Sequence, residues 1–390
     1  MSFGVYIHVP FCLRRCGYCD FNTYTAVDLG GGASRDTYAR LAAEEMRSIR
    51  EWQLRENIEE PAASSVFFGG GTPTILPADD LVAMLDAVRS IWGIRPDAEI
   101  TTEANPDTVD AAYIRRLADG GFTRISFGMQ SAVPRVLRTL DRTHTPRNVE
   151  AGVSAADSCS LRSSVDLIYG TPGESLSDWE ASLHAAIDLG VRHVSAYALT
   201  IEPTTGMGRR IQSGTLSRPD DDDEARKYEI ADDMLSASGL RWYEISNWSR
   251  PGYESVHNLS YWRNEDWAGI GPGAHSHYSK NGRDIRAWDV KHPRAWAISL
   301  GSGRIPWAGS EALGTQERVE EAVMLGMRLR EGLDPATVES LSGRRVDPTA
   351  IQSLVTEGLI VHEGDRLVAT RRGRLLNDIV IGALLDAVGQ

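Results

Sequence analysis

Cysteine is scarce: the 390 residues contain four. A chain this poor in thiols, with no secretory segment, is not stapled by a disulfide framework. Long apolar runs are missing as well, and none approaches the roughly 18 residues of a membrane-spanning helix. The opening Met1-Ser2-Phe3-Gly4-Val5-Tyr6 has neither a cationic head nor an extended apolar stretch. A signal peptide is therefore not expected, and a cytoplasmic location is. Positive charge is also short. A formal net charge of −13 argues against general nucleic-acid affinity, which rests on Lys and Arg contacts to phosphate. The basic residues are too mixed with acid for a polybasic membrane tag. A nucleotide P-loop is lacking too, because Gly69-Gly70-Gly71 is followed by Thr72-Pro73 rather than Gly-Lys-Ser/Thr. The remaining composition is that of a globular protein, long enough for two domains or more. No internal repeat is visible.

The few cysteines are not scattered. Three lie in Tyr6-Ile7-His8-Val9-Pro10-Phe11-Cys12-Leu13-Arg14-Arg15-Cys16-Gly17-Tyr18-Cys19, spaced Cys-x3-Cys-x2-Cys. Three thiolates can hold three irons of a [4Fe–4S] cube and leave the fourth iron open to bind and reduce something. A structural zinc site would need a fourth Cys or His at ligand spacing. The next cysteine, Cys159, is 140 positions beyond Cys19, and His8 belongs to a strand. Covalent haem attachment through Cys-x-x-Cys-His fails because Asp20 follows Cys19. Cys159 reads as a small packed hydrophobe.

Apolar runs alternate with helical periods through the first half. Strands are predicted at Gly4–Val9, Val66–Gly69, Glu99–Glu103, Arg124–Gly128, Ser164–Ile168 and His193–Leu199, with helices near Arg35–Arg55, Ala78–Ile91, Val109–Asp119, Pro146–Asp157 and Ser177–Leu189. This order implies an α/β fold, a parallel sheet covered by helices. An open doubly wound sheet is the alternative to a barrel. Polar and glycine-bearing motifs follow the strands: Gly69-Gly70-Gly71-Thr72, Glu103-Ala104-Asn105-Pro106, Gly128-Met129-Gln130-Ser131 and the segment from Asp166 to Gly173. They would gather on the face formed by strand C-termini. The acidic run Asp220 to Glu224 reads as a solvated helix start. Residues 242 to 307 hold seven of the ten tryptophans and show little periodicity. Residues 311 to 390 read helix, helix, helix, two short strands, helix, a winged-helix pattern. Nine arginines and no lysine against thirteen acids give that tail a charge of −4, so a structural or docking role is favoured over DNA binding.

The cysteine loop, directly after an apolar strand, resembles that of the radical S-adenosylmethionine (SAM) enzymes. The resemblance implies a partial (β/α)6 barrel, with the amino and carboxylate groups of SAM on the open iron and an electron from the cluster splitting the sulfonium. It divides the chain into a radical SAM core (1–205), a Trp-rich extension (206–310) and a C-terminal winged-helix-like α+β domain (311–390). Glu103, Gln130, Arg142 and Asp166 would each read alone as surface or capping residues. In this order they resemble the coproporphyrinogen-dehydrogenase branch, whose site holds two SAM molecules. Carried over by motif, Tyr6, Gly70 and Glu103 would contact the first, and Tyr18, Gly71, Thr72, Gln130, Arg142 and Asp166 the second.

The oxidase of that branch has a further cysteine two places after the third, where this chain has Cys19-Asp20-Phe21; Phe21 cannot ligate iron. Only eleven residues precede Cys12, against a long arm in the oxidase. Cys-x3-Cys-x-Tyr-Cys-x-Phe is instead similar to the HemW family of haem chaperones. His257-Asn258-Leu259-Ser260-Tyr261-Trp262 matches that family's His-Asn-x-x-Tyr-Trp element. The resemblance makes His257 an axial ligand of haem iron and Tyr261 and Trp262 flat walls for the porphyrin, with His275 and His277 as secondary ligand candidates. Without it, these residues would read as a hydrogen-bonded structural histidine and core aromatics. The implied cofactors are a [4Fe–4S] cluster on Cys12, Cys16 and Cys19, SAM, and haem. The implied partners are haem-acceptor proteins such as membrane respiratory enzymes, and a cluster-dependent homodimer is one assembly it suggests. No nucleic acid is expected. The competing reading is an enzyme that decarboxylates coproporphyrinogen III anaerobically; a winged-helix regulator fails on charge.

Overall fold

The computed structural model describes residues 2–280 and 282–389. Its centre is six parallel strands, β1 (Phe3–Val9), β2 (Ala63–Gly70), β3 (Ile94–Ala104), β4 (Arg124–Gln130), β5 (Arg162–Tyr169) and β6 (His193–Ala198), paired in sequence order. A doubly wound sheet would reverse its order at a switch point; this one does not, and it is the partial (β/α)6 barrel. The helices between the strands are α1 (Arg35–Arg55), α2 (Ala78–Ile91), α3 (Ala111–Asp119), α4 (Pro134–Thr139), α5 (Pro146–Ser158) and α6 (Leu176–Asp188). Their starts follow local chemistry. Ser34 and Thr37 form a capping box on α1, Asp110 caps α3 by accepting from the Tyr113 N–H, and Ser175 and Asp178 form a box on α6. The short α4 was not legible in the periodicity.

Two further helices, α7 (Gly206–Gln212) and α8 (Asp221–Ala237), follow β6. The acidic run is the first turn of α8, where carboxylates oppose the positive end of the helix dipole. The tryptophan-rich stretch does not stay irregular. It folds into β7 (Arg241–Glu244), β8 (Asn247–Ser249), α9 (Val256–Trp262), β9 (Asp266–Ile270), β10 (His275–Lys280), β11 (Arg283–Asp289), α10 (Pro293–Gly301) and β12 (Trp307–Ala312). β9 joins β1 in parallel and β10, β11 and β12 continue antiparallel, while β8 and β7 extend the β6 edge, giving a twelve-stranded sheet.

The C-terminal part has its own apolar core, built on Val323, Met327, Val338, Leu354, Ile360, Leu367, Val380 and Leu384. Its elements are α11 (Thr315–Gly326), α12 (Pro335–Ser342), α13 (Pro348–Thr356), the hairpin β13 (Ile360–Glu363) and β14 (Arg366–Ala369), α14 (Arg371–Leu375) and α15 (Asn377–Gly389). The last helix, expected as one piece, is two. Arg371 and Arg374 on α14 both bind Asp232 of α8, at 2.8 and 2.7 Å, whereas α15 packs into the C-terminal core. Among the described residues no helix is long and apolar enough to cross a membrane.

Candidate functional site

Register delivers the cysteine loop to its place. β1 and β2 pair in parallel with His8 opposite Gly69 and Val9 opposite Gly70, so the chain leaving β1 crosses the turn that leaves β2. Backbone bonds lock the crossing: the Gly71 N–H donates to the Val9 carbonyl (2.8 Å) and the Thr72 N–H to that of Phe11 (2.8 Å). Both glycines are required there. Gly70 has φ +105°, and a Cβ on it would come within 2.6 Å of the His8 ring. A Cβ on Gly71 would lie 2.6 Å from the Phe11 carbonyl and 3.1 Å from the Cys12 sulfur. The close approach expected of the triple glycine is thus to the cysteine loop itself.

The loop borders a cavity of about 480 Å³. Cys12, Cys16, Cys19, Tyr18, Gly70, Gly71, Thr72, Glu103, Gln130, Arg142 and Asp166 all line it. The Thr72 hydroxyl points at the Cys12 sulfur (3.6 Å), and Arg142 reaches the Cys16 sulfur (3.6 Å) while donating to Asn105 (2.7 Å) and the Gly128 carbonyl (2.9 Å). Asn105 in turn donates to Thr72 (3.2 Å). Asn105 lies within a motif noted in the sequence, yet its linking role was not foreseen. Gln130 adopts a left-handed φ of 61°, rare for a residue with a side chain, where the β4–β5 register breaks.

The cavity is electrostatically unusual. Burial, helped by the neighbouring Asp166, pushes the Glu103 carboxyl up to about 8, against the Gly70 N–H that donates to it (3.3 Å). Burial also raises Asp166, although the Ser126 hydroxyl donates to it at 3.0–3.1 Å. Asp166 is offset by the nearby Arg124 and Arg142, whereas Glu103 meets no such cation among the described residues and suits a cationic ligand with hydroxyls. Burial raises the Cys12 and Cys19 thiols, so loading metal there displaces protons. Among the described residues no three His, Cys, Asp or Glu side chains stand close enough to hold one metal ion. A cube asks something different, since each thiolate takes its own iron. The donor set and the cation-seeking Glu103 carboxyl fit a cluster with SAM.

Tyr6 sits apart from the thiols. Its hydroxyl bonds His8 Nδ1 (3.0 Å), because His8 Nε2–H is committed to the Asn22 carbonyl (3.0 Å). Tyr6 and Tyr261 line a second cavity of about 430 Å³, shared with His8, Trp267, His275, Arg286 and Met324. His257 lines neither. It is 1 % exposed, stacked on Phe67 (5.0 Å, 16°), with Nδ1 bonded to Ser65 (3.0 Å) and Nε2 to Tyr261 (3.0 Å). Burial lowers its pKa to about 3, so the ring is neutral. The indole of Trp262 turns the other way, towards Glu244 and Arg328. His277 is buried between Asp266 (3.6 Å) and Asp284 (3.7 Å), and its Nδ1 bonds the Glu265 carbonyl (3.0 Å). An unforeseen ion pair, Arg124–Glu99 (3.1 Å, both side chains under 5 % exposed), backs this region, with Glu99 accepting from the Val256 N–H at the start of α9 (2.9 Å).

The Radical SAM superfamily model matches residues 6–186 and the HemN C-terminal domain model residues 313–376. The chain is 46 % identical to the "Heme chaperone HemW" of Mycobacterium tuberculosis over 98 % of its own length and 95 % of the relative's. It is 33 % identical to the protein of that name from Bacillus subtilis, covering 98 % and 99 % of the two chains. Its fold follows the radical SAM coproporphyrinogen III oxidase HemN of Escherichia coli with a TM-score of 0.81, over 99 % of this chain and 90 % of that one, at 20 % identity. With full-length identity of this order to proteins of one kind, and the family's cysteine loop on a partial barrel, the chain belongs to the HemW family of radical SAM proteins.

Proposed function

We propose that this protein is a haem chaperone that holds a [4Fe–4S] cluster and SAM in the first cavity and haem beside it, and passes haem to acceptor proteins such as membrane respiratory enzymes. The observation that carries the reading is the convergence of the three thiols with the Glu103 and Asp166 carboxyls in one cavity, directly behind the helix that bears the His-Asn-x-x-Tyr-Trp element. Asn258 of α9 lines the first cavity and Tyr261 the second, so one helix is shared by both.

In this reading Cys12, Cys16 and Cys19 supply the thiolates. A bound cluster with SAM would supply one-electron reduction of the sulfonium. Thr72 and Arg142 direct donors at two of the sulfurs, which stabilises the thiolate form. Glu103 and Gly70 would hold the amino and ribose groups of the first SAM near Tyr6. Tyr18, Gly71, Thr72, Gln130, Arg142 and Asp166 would hold the second. Of the family's haem element, Tyr261 would wall the haem seat with His257 holding its hydroxyl, while the Trp262 indole faces Glu244 and Arg328; His257 would reach iron only by giving up its bond to Ser65 or Tyr261. The domain division at residues 205 and 310, the homodimer and the cytoplasmic location belong to the same proposal.

Two assays on anaerobically reconstituted protein test it. Ferric haem should bind with a saturable absorbance change, and coproporphyrinogen III with SAM and reductant should yield no decarboxylated product above background. Phe21, 59 % exposed at the cavity, stands where the oxidase has a further cysteine. Turnover to protoporphyrinogen without haem binding would replace this reading with the oxidase.

A further inference from the structure

The second cavity lies between the extension strands and α11 of the C-terminal part. At about 430 Å³ it falls within the ~300–1,000 Å³ of small-molecule sites. Two side chains that can ligate iron face it from opposite parts of the chain. His275 begins β10; its ring is exposed, lies parallel to Trp288 (centroids 6.2 Å apart, 26°), and makes no hydrogen bond with the described residues. Met324, on α11, is 38 % exposed. Tyr261 and Trp267 meet edge to face in the wall (4.6 Å, 78°). Arg286 lies over the Trp267 ring (5.1 Å), tied to Glu321 (2.7 Å) and Asn264 (2.8 Å), with its Nε buried and unpartnered.

An aromatic groove with a free imidazole and a thioether matches a flat macrocycle that carries iron at its centre. Imidazole and thioether are axial haem ligands, and aromatic faces take the ring. His257 offers none of this, because both its ring nitrogens are occupied inside the protein.

We propose that haem is seated in the second cavity with His275 and Met324 as the axial ligands of its iron, a site that rests on the haem-chaperone reading above. His257 is then a positioning residue, holding the Tyr261 hydroxyl through Nε2. His275 belongs to the sheet and Met324 to α11 of the C-terminal part, so a movement of that part as one body, with the Arg286–Glu321 and Arg318–Asp284 pairs broken, would release the thioether while the C-terminal core stays folded. That gives the seat one firm ligand and one removable ligand.

Ferric haem is titrated into the full chain, and difference absorbance and electron paramagnetic resonance spectra are recorded. Wild type should give low-spin haem with the weak long-wavelength thioether-to-iron band. Met324→Leu, which keeps volume and apolarity, should lose that band and turn high-spin. His275→Ala should weaken binding by at least the roughly 10–100-fold that loss of an outer-shell partner costs, and added imidazole should restore the low-spin spectrum. His257→Gln should keep the low-spin spectrum. Circular dichroism on each variant confirms folding. A thioether band that survives Met324→Leu, or a His275→Ala spectrum equal to wild type, overturns the site alone. So does a His257→Gln variant that loses the low-spin spectrum by itself. Absence of any bound-haem spectrum in wild type overturns the functional reading as well.

Discussion

At the scale of single residues, burial decides what each group can do. His257 came forward in the sequence as a metal ligand because its motif names it, but sequence does not show which way a ring nitrogen faces. In the fold it is a neutral wedge between Ser65, Phe67 and Tyr261. This has a consequence for acid stability. Its pKa in the fold, about 3, lies below the ordinary 6.5, so below pH 6.5 the unfolded chain takes up a proton that the folded one refuses. The stability it contributes is present above pH 6.5 and is lost as pH falls towards 3, at about 1.4 kcal/mol per pH unit. Raised carboxyls such as Glu103 and Glu244 pull the other way, so a difference measurement is needed. His257→Gln keeps a donor and an acceptor but does not titrate. Its melting temperature should sit below wild type at pH 7, and the gap should narrow by pH 4. A gap independent of pH would show that His257 is not held neutral.

At the scale of elements, what was legible depended on how each segment buries its faces. The strands of the barrel read clearly because they are long apolar runs, and α1 falls on the expected Arg35–Arg55. The strands β7 to β12 did not read, because they are short and several are buried on both faces. β8 and β9 show no alternation of buried and exposed positions. The tryptophans of this stretch find polar partners that only the fold supplies, such as Asp232 for Trp248 of β8 (2.9 Å) and Glu45 for Trp296 of α10 (2.9 Å). The gathering of the three cysteines in one loop after β1 was legible from spacing, and the clamp on that loop by the Gly69–Thr72 turn was not, since that depends on strand register. Replacing Cys12, Cys16 or Cys19 with Ala should abolish iron–sulfur absorbance and lower iron and sulfide content after anaerobic reconstitution. Cys159→Ala should leave both intact, because Cys159 ends α5 away from the cavity. A normal iron and sulfide content in the Cys16 variant would remove the cluster from the account.

At the scale of the whole molecule, one continuous sheet joins the two cavities. The six parallel strands carry the first at their C-terminal ends, and β9 to β12, added to β1, carry one wall of the second while α11 supplies the other. The parallel centre and the tail's helix–strand order could be read from the chain. The pairing of the extension on both edges of the barrel could not, because long-range strand partners leave no periodic trace. This arrangement places the proposed haem seat where the core, the extension and the C-terminal part meet, and on the proposed function it would make delivery a property of the intact chain. The most direct test of that claim is a transfer experiment. The full chain is loaded with one equivalent of haem, mixed with a haem-free respiratory acceptor held on beads, and separated, with the haem in each fraction followed over time by absorbance. Haem should move to the acceptor faster from the loaded protein than from an equal concentration of free haem. Haem that stays with the chain, or reaches the acceptor no faster than free haem does, would contradict it.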